Sequence, residues 1–135
     1  MTIRVLWHNE QKTIIRHSYE ANWTWQDFHN ALDETLAMTT DIDQPIDLFI
    51  DLHNTQILLP GAITHFRQLT QKLAPKVAFV VVTGGNQFMK MMFNMFQRVG
   101  GHWADNYVWA PTFEQACSIV STRQNTRACQ MPMQD

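Results

Sequence analysis

Six histidines, two cysteines and twelve carboxylates are the side chains of this 135-residue chain best suited to carry chemistry. No two of His8, His17, His29, His53, His65 and His102 lie three to five residues apart, so no helical zinc motif can be drawn and no metal site is expected. His53 stands out by position. It follows an apolar run that reads as a central strand, in Asp51-Leu52-His53-Asn54-Thr55, and open α/β sheets bind ligands beyond the carboxyl ends of their strands. His65, early in the next helix, could face it and bring two imidazoles and Asp51 to one crevice. The plainer alternative is a turn histidine and an exposed helix histidine with ordinary hydrogen bonds. Thr83-Gly84-Gly85-Asn86 joins a buried strand to a helix, where backbone N–H groups attract anions and glycine lets a ligand approach. It lacks the lysine of a P-loop and the third glycine of a dinucleotide fingerprint, so it is either a structural turn or a site for a small anion or phosphate. Thr83, Gly84, Gly85, Asn86, His53 and Asn54 are thus the ligand or anion-binding candidates.

Nucleophilic catalysis finds little footing. Cys117 falls on the apolar stripe of the last helix and reads as a packed thiol, and Cys129 lies in a polar tail with no fixed base nearby. No serine has the glycine-flanked elbow context, and Asp33, Glu34, Asp41 and Asp43 are scattered surface acids rather than a working pair. No catalytic residue and no cofactor are assigned, and the chain reads as a non-enzyme.

The elements that must position these groups follow from periodicity. Residues 2–7 and 13–19 alternate and lie at hairpin spacing, which predicts two antiparallel strands. Thr24 and Asp27 form a capping box for a helix whose Trp25, Phe28, Leu32 and Leu36 make one buried stripe. Residues 46–52 and 77–82 are apolar enough to be strands covered on both faces. Between them a helix opening near Pro60 carries Ile63, Phe66, Leu69 and Leu73, which makes a parallel strand, helix, strand unit. A third helix over 86–99, a short strand over 107–109 and a fourth helix capped by Thr112 complete the order. The expected fold is α/β: a β-hairpin followed by alternating helices and parallel strands, about five strands and four helices, with one domain over 1–121 and a flexible tail over 122–135.

The third helix is apolar over more of its circumference than one sheet-facing stripe needs. Phe88, Met92, Met95, Phe96 and Val99 form the expected core arc, and Met89, Met91 and Phe93 widen it on both sides. Three covers stay open: neighbouring elements of the same chain, a homodimer interface, or an apolar ligand such as a lipid tail. Met89, Met91, Phe93 and Phe96 are the interface candidates.

Composition sets the remaining bounds. With 45% apolar and 16% charged residues the chain can bury one core, and it is too short for a second domain. A net charge of -2 argues against nucleic acid or an anionic membrane as partner. No apolar run reaches membrane-spanning length and no signal-like segment precedes the first strand, so a cytoplasmic address without membrane insertion is expected. Two cysteines are too few for a disulfide framework, which fits a reducing compartment.

The helix start Trp23-Thr24-Trp25-Gln26-Asp27-Phe28, the strand over 47–51, the strand over 77–82 ending in Thr83-Gly84-Gly85-Asn86, and the closing Ala110-Pro111-Thr112-Phe113-Glu114-Gln115-Ala116 resemble a SpoIIAA-like domain, the fold of STAS domains and anti-sigma factor antagonists, across residues 1–121. The resemblance implies a regulatory or protein-binding module without catalysis of its own. One departure matters: where phosphorylatable antagonists carry a serine, this chain reads Ile57-Leu58-Leu59-Pro60-Gly61-Ala62, with no hydroxyl. Phosphorylation there is therefore not carried over. The expectation is a cytoplasmic homodimer with a possible regulatory protein partner; the alternative is a small-ligand or lipid-binding carrier using the third helix and the Thr83 to Asn86 turn.

Overall fold

Alternating and 3.6-residue patterns along the chain become five strands and four helices in the computed structural model, which describes residues 2–56, 58–74 and 76–124. In chain order these are β1 (Ile3–Trp7), β2 (Ile14–Tyr19), α1 (Trp25–Met38), β3 (Ile46–Asp51), α2 (Ala62–Leu73), β4 (Val77–Thr83), α3 (Gln87–Val99), a 3₁₀ turn (Gly101–Ala104), β5 (Tyr107–Ala110) and α4 (Phe113–Gln124). The strands form one sheet in the order β1-β2-β3-β4-β5, with β1 antiparallel to β2 and every other pair parallel. The α/β fold expected from the sequence is therefore the fold observed.

Local chemistry explains the joints. Asn9 closes the hairpin, its side-chain oxygen accepting from the N–H groups of Thr13 and Ile14. Thr24 and Asp27 form the expected capping box on α1. The Asn86 side chain accepts from Met89 N–H at 2.9 Å and caps α3. Thr112 caps α4 through Gln115 N–H. Lys76 reaches back to the carbonyls of Thr39 and Ile42 and ties down the turn that follows α1.

Because each parallel strand is placed beside the previous one, successive right-handed crossovers lay α1, α2 and α3 on the same face. That face holds the larger core, with Ile15, Phe28, Leu32, Leu48, Ile50, Leu69, Val80 and Phe96. The opposite face packs Ile14, Phe49, Val81 and Ala110 against Ala116 and Val120 of α4. Helix α4 runs to Gln124, past the expected domain boundary at 121, because Arg123 pairs with the buried carboxylate of Asp47 at 2.9 Å and lies over the Phe79 ring. The rest of the expected tail, residues 125–135, lies outside the described residues.

Candidate functional site

Parallel pairing brings the carboxyl ends of the central strands into one row, where Ser18, Asp51, Thr83 and Ala110 are neighbours across β2, β3, β4 and β5. Their side chains share the α4 face. Asp51 is 5% exposed and accepts from His53 N–H at 3.0 Å, His53 Nδ1 at 2.7 Å and Ser18 Oγ at 3.3 Å. The carboxylate thus fixes the imidazole as the Nδ1–H tautomer. Two surfaces clamp the ring. Phe113 at the start of α4 stacks on it at 5.0 Å, and Gly84 lies so close that a Cβ there would come within 2.7 Å of His53 Cγ. Gly84 also has φ +83, so glycine is required twice over. His53 Nε2 has no protein partner among the described residues, and nothing nucleophilic bonds to it.

The sequence candidates separate here. Thr83, Gly84 and His53 do come together with Asp51, and the Thr83 hydroxyl is buried without a partner among the described residues. Asn86 is engaged structurally, capping α3 and donating to Gln56 O. Gly85 turns toward Met89 and Trp109 on the other side of the sheet, and Asn54 is exposed. His65 does not meet His53. It bonds His29 at 2.9 Å and stacks on Trp25 at 4.0 Å, because α2 turns that flank toward α1. The partners that spacing alone does not reveal are Ser18, set by the β2 to β3 register, and Phe113, set by the return of α4. Cys117 is disulfide-bonded where a packed thiol was expected, and Cys129 lies outside the described residues.

Helix α3 corrects the expected interface. Met89, Phe93 and Phe96 are buried against the sheet, so these three interface candidates are core side chains. The exposed apolar residues are Phe88 (58%), Met91 (62%), Met95 (53%) and Val99 (59%), spaced three, four and four residues apart along one outer stripe. Of the four candidates, Met91 alone lies on it. Phe88, Met95 and Val99, expected in the core arc, face outward because the helix sits rotated by about one residue step of 100° from the expected phase. Beside this stripe Met92 lines a narrow apolar pocket of about 50 Å³ with Leu58, Ile63 and Phe66 of the α2 side. Helices α2 and α3 pack less closely against each other than α1 and α2, and the pocket marks that gap.

Burial perturbs four titratable groups, His17, Tyr19, His29 and Tyr107. His17 is pushed down to about 3 by burial, and its Nε2–H donates to Thr35 Oγ1 at 2.7 Å while that hydroxyl donates to Ala31 O. Burial also raises Tyr19 and Tyr107; the Tyr107 hydroxyl lies within hydrogen-bond distance of Phe66 O and Thr70. Among the described residues no group of three or more His, Cys, Asp or Glu could hold a metal ion, and no helix is long and apolar enough to cross a membrane. No protein-family model and no curated protein matches this chain.

Proposed function

We propose that the protein is a non-enzymatic regulatory module that works by binding another protein through the outer stripe of α3. The observation that carries this reading is the exposure of Phe88, Met91, Met95 and Val99 on a helix already anchored by Met89, Phe93 and Phe96. Four large apolar side chains in helical register, each more than half exposed, form a surface with a partner's geometry rather than a scatter of single residues. Three of the eight methionines belong to this stripe or its edge, and their flexible side chains suit an adaptable contact.

The reading agrees with the regulatory, protein-binding role implied by the resemblance to STAS domains, and it needs no phosphorylatable serine. A carrier function built on α3 has less support, since the pocket beside that helix, of about 50 Å³, is far below the several hundred Å³ that usually hold a small-molecule ligand. The Asp51 and His53 pair supports no reaction by itself: the carboxylate is engaged on both oxygens and the ring is packed on Phe113 and Gly84. The disulfide at Cys117 weighs against the reducing compartment that the cysteine count suggested, so the cytoplasmic address rests only on the sequence reading of the first strand and of the apolar runs.

Photo-crosslinking in cells tests the reading. A photoreactive residue replacing Met91 should give one discrete protein adduct, and the same residue replacing Asn30 on the outer face of α1 should give none. Equal labelling from both positions would contradict a docking face on α3, and a lipid-sized mass shift from Met91 would favour the carrier.

A further inference from the structure

Two imidazoles meet across the seam between α1 and α2. His29 Nε2 and His65 Nδ1 lie 2.9 Å apart although they are 36 residues distant in the chain, so no spacing rule within one helix reveals them. Both side chains are half-buried, and each leans on an aromatic ring: His65 stacks on Trp25 at 4.0 Å, and His29 meets Phe28 edge-on. Burial, then the neighbouring His65 and Lys72, hold His29 below the usual histidine value, so its imidazole is neutral at neutral pH. Asp33, one turn further along α1, acts on the same ring in the opposite sense and is itself paired with Lys72. Only one proton fits between the facing nitrogens. Moving it to the far nitrogen of its own ring is a change of tautomer with no net proton lost, and it leaves both facing nitrogens with free lone pairs.

Two imidazole lone pairs at this separation suit a metal ion. With metal-to-nitrogen bonds of about 2.05 Å, ligands at 90° stand about 2.9 Å apart and ligands at the tetrahedral angle about 3.3 Å apart. The observed spacing is that of neighbouring positions on a square-planar or octahedral ion. From this we infer that His29 and His65 form a two-ligand site for a divalent transition-metal ion of the copper(II) or nickel(II) class, bound in cis positions with water completing the shell. The rings turn so that their lone pairs converge on the ion at nearly constant nitrogen spacing, and the two nitrogens displace two waters of the hydrated ion. A bound ion therefore staples α1 to α2, a role separate from the docking proposed for α3. A third protein ligand is held back: Asp33 is engaged by Lys72, and among the described residues no three His, Cys, Asp or Glu could hold an ion together.

Calorimetric titration of the full, metal-free chain with NiCl2 tests the site. One strong site per chain is expected, and His29→Gln and His65→Asn should each weaken it at least about tenfold, although both replacements keep a polar group facing across the seam. His102→Ala, at an exposed ring outside the seam, should leave the affinity unchanged. Copper(II) should bind more tightly than nickel(II) and nickel(II) more tightly than zinc(II), and copper(II) should broaden the Cε1–H signals of His29 and His65 before those of His53 and His102. That spectrum also reports whether each variant is folded. Lys72→Met should tighten nickel binding by releasing the Asp33 carboxylate, and the gain should vanish when Asp33→Asn is added. If no metal binds, or if binding survives both His29→Gln and His65→Asn, the inference fails and the pair is a hydrogen-bonded strut only. If zinc(II) binds more tightly than nickel(II) through the same two residues, the cis geometry and its metal class are overturned.

Discussion

The two seams between neighbouring helices on the main face of the sheet are built from opposite materials. Between α1 and α2 the chain supplies both halves of each contact. Trp25 stacks on His65 and donates through Nε1 to Pro60 O at 2.8 Å, His29 bonds His65, and Lys72 meets Asp33. Between α2 and α3 it supplies an apolar floor and no acids. The backbone topology treats the two seams alike, since both arise from the same right-handed crossover repeated one strand further along. Side chains alone close the first with polar and stacked contacts and leave exposed apolar surface beside the second.

The largest expected effects break this comparison at the floor of the open seam. Phe93→Ala or Phe96→Ala should cost about 3–5 kcal/mol in urea unfolding, as truncations of buried aromatics do, whereas Met91→Ala or Met95→Ala on the outer stripe should stay within about 0.5 kcal/mol. Equal losses from both sets would mean that the stripe is covered within the monomer.

Acid should act under α1 and leave the apolar seam alone. Because the folded state holds His17 near 3 while the unfolded chain titrates at its ordinary 6.5, the unfolded state binds the extra proton, and stability should fall by about 1.4 kcal/mol per pH unit from 6.5 down to about 3. His29 adds to this in the same direction, its value lowered by burial and then by the neighbouring His65 and Lys72. Replacing His17 by Gln should flatten the profile, and hydrogen exchange below pH 6 should accelerate in α1 before α3. Acceleration in α3 first would contradict the assignment.

A smaller effect sharpens the polar seam. His65→Ala removes one stack and one hydrogen bond and should cost about 1 kcal/mol without changing peptide binding at α3. Weakened binding in that variant would mean that the two seams are mechanically coupled.

How much of this was legible in the sequence differs along the chain. The strands, the hairpin and the Thr24 to Asp27 box follow from local pattern because each is decided by residues within a few positions of one another. The phase of α3 is not legible: Phe88, Met89, Met91, Met92, Phe93, Met95, Phe96 and Val99 surround most of the helix, so periodicity offers no unique buried side, and packing on Trp109 and Tyr107 chooses it. His53 was found through its place after β3. The bond of its partner Asp51 to Ser18 depends on register and its own stack on Phe113 on the return of α4, contacts 33 and 60 residues distant in chain that no local pattern encodes. The pairing of His65 with His29 was missed for the same reason.

The central claim, that α3 offers its outer stripe to a protein partner, is tested most directly by methyl spectra of methionine-labelled protein titrated with a capped amphipathic helical peptide that presents a leucine stripe. The account predicts saturable shifts of Met91, Met92 and Met95 with Met38, at the end of α1, unchanged. Shifts of Met38 equal to those of Met95, or a spectrum that does not move, would contradict it.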